Sequence, residues 1–237
     1  MGRKRRTPGW GARIVALLLL AALAGGAWFW WQLRHWTPPE SEYPDQGVYE
    51  GPDSEGSGAR IDFRAVRALG GSFAYLDASD GAHGQDPRFA RDYAAARKAG
   101  LQVGAVHRFD PCTMADGQSA NFVTMVPRDQ ELLPPAIELD RTAENCDPRV
   151  AEAAVESELM TFINQVELHA GKPVILKISP GFEDRYGLAR RIERNLWLTR
   201  TRLQPDYAGR PWLLWTANEQ LRSEASEEPV RWVVVQP

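Results

Sequence analysis

Cysteine is nearly absent from this 237-residue chain, which holds only Cys112 and Cys146. Two thiols rarely complete a zinc site, so neither a metal nor a cofactor is expected. An excess of charge of either sign is also missing: 28 Lys and Arg stand against 31 Asp and Glu, for a net charge of −3. That balance leaves no basic field to hold nucleic acid, which is set aside as a partner. The chain length fits one medium domain with a sizeable core.

What the chain does have is an apolar segment, 14–31, without a charged residue. Its length, about 18 residues, just spans a bilayer as a helix. Arg3, Lys4, Arg5, Arg6 and Arg13 precede it, while only Arg34 follows closely. Trp28, Phe29, Trp30 and Trp31 lie at its far end, where aromatic rings favour the headgroup zone. This pattern predicts a single-pass inner-membrane protein with a cytoplasmic amino terminus and a periplasm-facing body. The competing reading is a secreted protein, cleaved after a signal peptide at Ala22-Leu23-Ala24. The expected organisation is a basic terminus 1–13, an anchor 14–31, a stiff Pro-containing linker 32–42 and a folded domain 43–237. In an oxidising compartment the cysteine pair reads as a disulfide.

From residue 43 onward, strand and helix patterns alternate. Strands are expected at 47–50, 72–78, 101–107, 135–140, 174–178, 196–199, 212–216 and 231–235. Helices are expected at 61–69, with Asp62 as its cap, and at 87–98, 118–125, 148–170 and 184–193. The acidic run Glu224, Glu227 and Glu228 reads as a solvated loop. Such alternation calls for a mostly parallel sheet closing into an irregular, TIM-barrel-like (β/α) barrel. Barrel sites form at the carboxyl ends of the strands. Tyr49, Asp77, Asp80, His107, Glu138 with Asp140, Lys177 and Trp215 stand at those ends and are expected to share one mouth. The same closure brings Cys112 and Cys146 into neighbouring loops.

Glu138 and Asp140 are spaced i, i+2, so both point to one face of a strand whose other face carries Ile137 and Leu139. Two readings stand: acids used in a cleft, or acids paired with arginines on a solvated edge. His107 and Tyr49 are also open, each either a ligand contact or a structural group with a bonded polar atom.

The ordered series Ile61-Asp62-Phe63, 73–81, Asp86-Pro87, 96–101, 103–107, 118–122 and the acid-tipped strand from Pro135 resembles glycoside hydrolase family 25. These are lysozymes that cut peptidoglycan between N-acetylmuramic acid and N-acetylglucosamine. The resemblance implies a barrel fold and action on peptidoglycan or another envelope polysaccharide, by a monomer. It implies Glu138 and Asp140 as the catalytic pair, and Tyr49, Asp77, Asp80, His107, Lys177 and Trp215 as substrate contacts. The family's fourth strand ends Asp-x-Glu, with the glutamate as proton donor; here the order is Glu138-x-Asp140. Tyr49 replaces an aspartate on the first strand, Lys177 a tyrosine on the fifth, and the closing strand lacks the family's acid. A divergent hydrolase and a glycan-binding relative without turnover both fit this pattern.

Overall fold

A computed structural model describes residues 10–51 and 60–237. The basic cluster at residues 3–6 and the Gly/Ser-rich loop through Gly56 and Gly58 lie outside them. The chain divides into two compact units, Met1–Trp36 and Thr37–Pro237. The first contains helix α1 (Trp10–Arg34), whose Ile14–Gln32 stretch is long and apolar enough to cross a membrane. The second begins within the expected linker. Its first residues pack, with Pro38 and Tyr43 buried and the Gln46 side chain donating to both their carbonyls.

The second unit is a closed barrel. Its strands are β1 (Gln46–Tyr49), β2 (Gly71–Asp80), the short β3 (Gly84–Gln85), β4 (Gln102–Arg108), β5 (Ala136–Leu139), β6 (Ile175–Ile178), β7 (Asn195–Thr199), β8 (Leu214–Ser223) and β9 (Ser226–Val235). Eight of them form the ring β1-β2-β4-β5-β6-β7-β8-β9, closed by β9 pairing with β1, and β3 hangs on β2. Every pairing in the ring is parallel except those of β9, which runs antiparallel to both β8 and β1. This is a mixed closed barrel with helices, without the uniform strand direction of a TIM barrel. A tight turn replaces a crossover helix between β8 and β9, and only antiparallel strands can be joined so briefly.

The outer helices are α2 (Phe63–Ala68), α3 (Phe89–Lys98), α4 (Ala115–Met125), α5 (Glu152–Ala170) and α6 (Pro180–Tyr186). Asp62 caps α2 through bonds from the Arg64 and Ala65 amides at 2.9 and 3.3 Å. Helix α5 buries Val155, Leu159, Phe162, Ile163 and Val166, a stripe at helical spacing. It stops at Gly171 in a left-handed conformation that suits glycine. Helix α6 starts earlier than expected, because Ser179 caps it and Pro180 fits its first turn. The segment Glu224 to Glu228 also departs from expectation: it forms the β8–β9 turn and the start of β9 rather than an irregular loop.

Strand parity fixes what the barrel holds. Tyr49, Phe73, Tyr75, Val106, Ala136, Ile175, Trp197, Leu214 and Val233 form one inner cluster. Gly104 points inward too, and a Cβ there would run into the Tyr75 ring, so only glycine leaves space for it. The rings of Tyr49 and Tyr75 pack on Trp197, with centroids 5.1 and 4.9 Å away. This aromatic plug is the floor beneath the mouth.

Candidate active site

Two residues beyond four of these floor positions, toward the carboxyl strand ends, the inward side chains become charged. Val106 is followed by Arg108, Ala136 by Glu138 and then Asp140, Ile175 by Lys177, and Tyr75 by Asp77. On the antiparallel β9 the equivalent residue precedes Val233 and is Arg231, placed opposite Tyr49 in register. A bulge in β2 after Asp77 shifts the parity by one, so Asp80 rather than Ser79 turns to the rim. There Asp80 pairs with Arg141 through two bonds of 2.6 Å.

Glu138 is at the centre of this layer and 6% exposed. Lys177 bonds Oε1, while Oε2 receives the Tyr49 hydroxyl at 2.8 Å and Arg108 Nη2 at 3.3 Å. Burial works against a charge here, but Lys177, Arg108 and the Tyr49 bond outweigh it and hold the carboxyl down to about 2. Glu138 is therefore a fixed anion at neutral pH and a poor proton donor.

Asp140 is in a different setting on the same strand face. Its side chain is 33% exposed, and among the described residues it pairs with Arg108 Nε at 3.5 Å. Burial raises its pKa, Arg108 opposes, and the charge of Glu138 adds to the rise. Asp77 Oδ1 is 2.8 Å from the Tyr49 hydroxyl oxygen, and burial together with Glu138 pushes this acid up to about 7. The layer thus contains one permanent anion beside acids that keep protons more readily.

The structure brings together Tyr49, Asp77, Glu138, Asp140 and Lys177, with Asp80 on the rim. It does not bring in His107 or Trp215, and both corrections follow from parity. Val106 and Leu214 face the lumen, so the next residues face outward. His107 is fully buried against Phe162, with Ser79 Oγ 2.8 Å from Nδ1 and Gln118 Oε1 3.3 Å from Nε2. A neutral ring serves both partners, and burial lowers its pKa to about 4. Trp215 packs against Tyr43 and Trp212 and donates to the Arg200 carbonyl at 2.8 Å. Arg108 and Arg231 were missed; the apolar residues two positions away, Val106 and Val233, were the signal that they point inward.

Cys112 and Cys146 form a disulfide, joining the loop after β4 to the loop after β5. Among the described residues no cluster of His, Cys, Asp or Glu could hold a metal ion.

A closed, mostly parallel barrel with acids and cations gathered at its carboxyl strand ends defines the class: barrel proteins that build their sites on that face. Within that class, residues 54–223 match the family model of glycosyl hydrolases family 25, and the chain belongs to that family. It is 24% identical over 178 residues to the uncharacterized protein YegX of Escherichia coli K12, which covers 72% of this chain and 63% of that protein. It is 26% identical over 146 residues to Lysozyme M1 of Streptomyces globisporus, covering 53% of this chain and 48% of the relative. The chain thus spans less than two thirds of the length of these curated relatives. Among solved structures, a family 25 glycosyl hydrolase from Bacillus anthracis superposes with a TM-score of 0.73 at 24% identity, over 86% of this chain and 93% of that one. A bacterial lysozyme from Streptomyces coelicolor gives a TM-score of 0.68 at 19% identity, over 81% and 92%. These likenesses establish the fold.

Proposed function

We propose that the chain is a lysozyme-type glycoside hydrolase that cleaves peptidoglycan strands, held at the membrane by α1 with its barrel outside the cytoplasm. The observation that carries the reading is the unequal treatment of two acids on one strand face. Glycosidic cleavage needs a protonated carboxyl to give a proton to the leaving oxygen and a second group to stabilise the positive charge that develops at the sugar. Asp140, accessible and raised in pKa, suits the first task. Glu138, buried and held ionised by Lys177 and Arg108, suits the second. This exchanges the two residue types relative to the family's Asp-x-Glu order while keeping the proton donor at the same strand position.

One observation favours a glycan-binding module without turnover. Arg108 lies within 3.5 Å of Asp140 and 3.3 Å of Glu138, and a guanidinium beside a proton donor favours its ionised form. Incubation with purified peptidoglycan separates the two. Newly released reducing ends that vanish in Asp140→Asn support the enzyme, and sedimentation with peptidoglycan without release supports the module.

A further inference from the structure

The Tyr49 oxygen is 2.8 Å from Asp77 Oδ1 and 2.8 Å from Glu138 Oε2. A phenol has one hydrogen to give, so it cannot satisfy two ionised carboxylates at once. The phenol is itself fully buried, and burial raises its pKa, so it keeps that hydrogen. One of the two acids must then bring a hydrogen of its own and donate it to the phenol oxygen.

The surroundings decide which acid does so. Lys177 from β6 and Arg108 from β4 both bond Glu138 and hold it ionised. Asp77 is faced by Tyr49 and Glu50 from β1 and its end, by Arg108, by Glu138 from β5 and by Arg231 from β9. Of these, the described hydrogen bond of Asp77 is the one with Tyr49. We propose that Asp77 is a protonated positioning residue, its carboxyl donating to the Tyr49 oxygen while the phenol hydrogen goes to Glu138. The array orients Glu138 and leaves the mouth with one buried anion instead of two. Burial and the charge of Glu138 push the Asp77 pKa up, to about 7, the direction that a retained proton requires.

The role served rests on the hydrolase reading, but the test is read without glycan and stands whether or not the protein cleaves any. Full-length protein carrying ¹³C-labelled carboxyls is titrated by NMR, the Asp77 signal being assigned by its loss in Asp77→Asn and the Glu138 signal by its loss in Glu138→Gln. The expected result is an Asp77 midpoint at or above about 7, with Glu138 ionised throughout the range where Asp77 titrates. An Asp77 midpoint in the ordinary range, about 4, overturns the assignment. Tyr49→Phe gives a second reading. Removing the oxygen that accepts the Asp77 hydrogen lowers the Asp77 midpoint, and removing the hydrogen given to Glu138 raises that of Glu138. A rise or no change at Asp77 shows that Tyr49 was donating to an Asp77 carboxylate, which also overturns the proposal.

Discussion

Arg108 pairs with both Glu138 and Asp140, whereas the described ion pair of Lys177 is with Glu138, and this asymmetry separates the chemistry of the two acids. Replacing Lys177 with Met removes one of two cations from a buried carboxylate, so the Glu138 pKa rises from about 2 toward its ordinary 4.5. The acid limb of any pH–rate profile that depends on ionised Glu138 then moves to higher pH. Glu138→Gln leaves Lys177 and Arg108 facing a neutral amide, and denaturant titration is expected to show a loss of about 3 kcal/mol. Asp140→Asn removes a long, partly exposed ion pair and leaves Arg108 its partner Glu138, so its stability stays within about 1 kcal/mol of the wild type while cleavage is lost. His107 supplies a separate pH signature. Its folded pKa, about 4, lies below the ordinary 6.5, so between those values the unfolded chain binds the extra proton. The stability contributed by neutral His107 is complete above 6.5 and is lost as pH falls toward 4. A His107→Gln variant flattens this part of the stability–pH curve, by on the order of 3 kcal/mol between its two ends.

Two elements that flank the mouth, the loops after β4 and β5, are tied by the Cys112–Cys146 bridge across a separation of 34 residues. Closing a loop of that length restricts the unfolded chain, and reduction is expected to cost about 3 to 4 kcal/mol, read as a fall in melting temperature with dithiothreitol. A melting temperature unchanged by reduction contradicts this. At this scale much was legible in the sequence. The bridge follows from placing each cysteine just past the end of one of two adjacent strands. The Asp62 cap, the α5 stripe and Gly171 were readable because local chemistry dictates them. Helix α6 was misplaced because its Ser179-Pro180 start signal competed with a longer polar stretch after it. The β8–β9 hairpin was half seen: its acidic residues resemble a loop, and pairing with a distant strand is not a local property. The site divides in the same way. That Glu138, Asp140 and Lys177 meet at the mouth was legible from their positions at strand ends. Arg108 was passed over for its neighbour His107, because choosing between adjacent residues requires knowing which face of β4 is inside.

For the whole molecule, closure joins the two ends of the barrel sequence, with β1 held between β2 and the last strand β9. Closure also brings Arg231, from the last strand, over the ring of Tyr49 on the first, at 5.3 Å. The charged layer above the aromatic floor is therefore complete, with Tyr49 and Arg231 in place, only when β9 has closed on β1. The central claim is that this layer divides two carboxyls into a proton donor and a fixed anion and so cleaves glycan. The most direct measurement is the release of reducing ends from purified peptidoglycan by the full-length protein, compared with Asp140→Asn and with a revertant in which Asp140 is restored. The account predicts release by the wild type, a loss of at least about a hundredfold in the variant and full recovery on reversion. Peptidoglycan that binds the wild-type protein and yields no new reducing ends contradicts it.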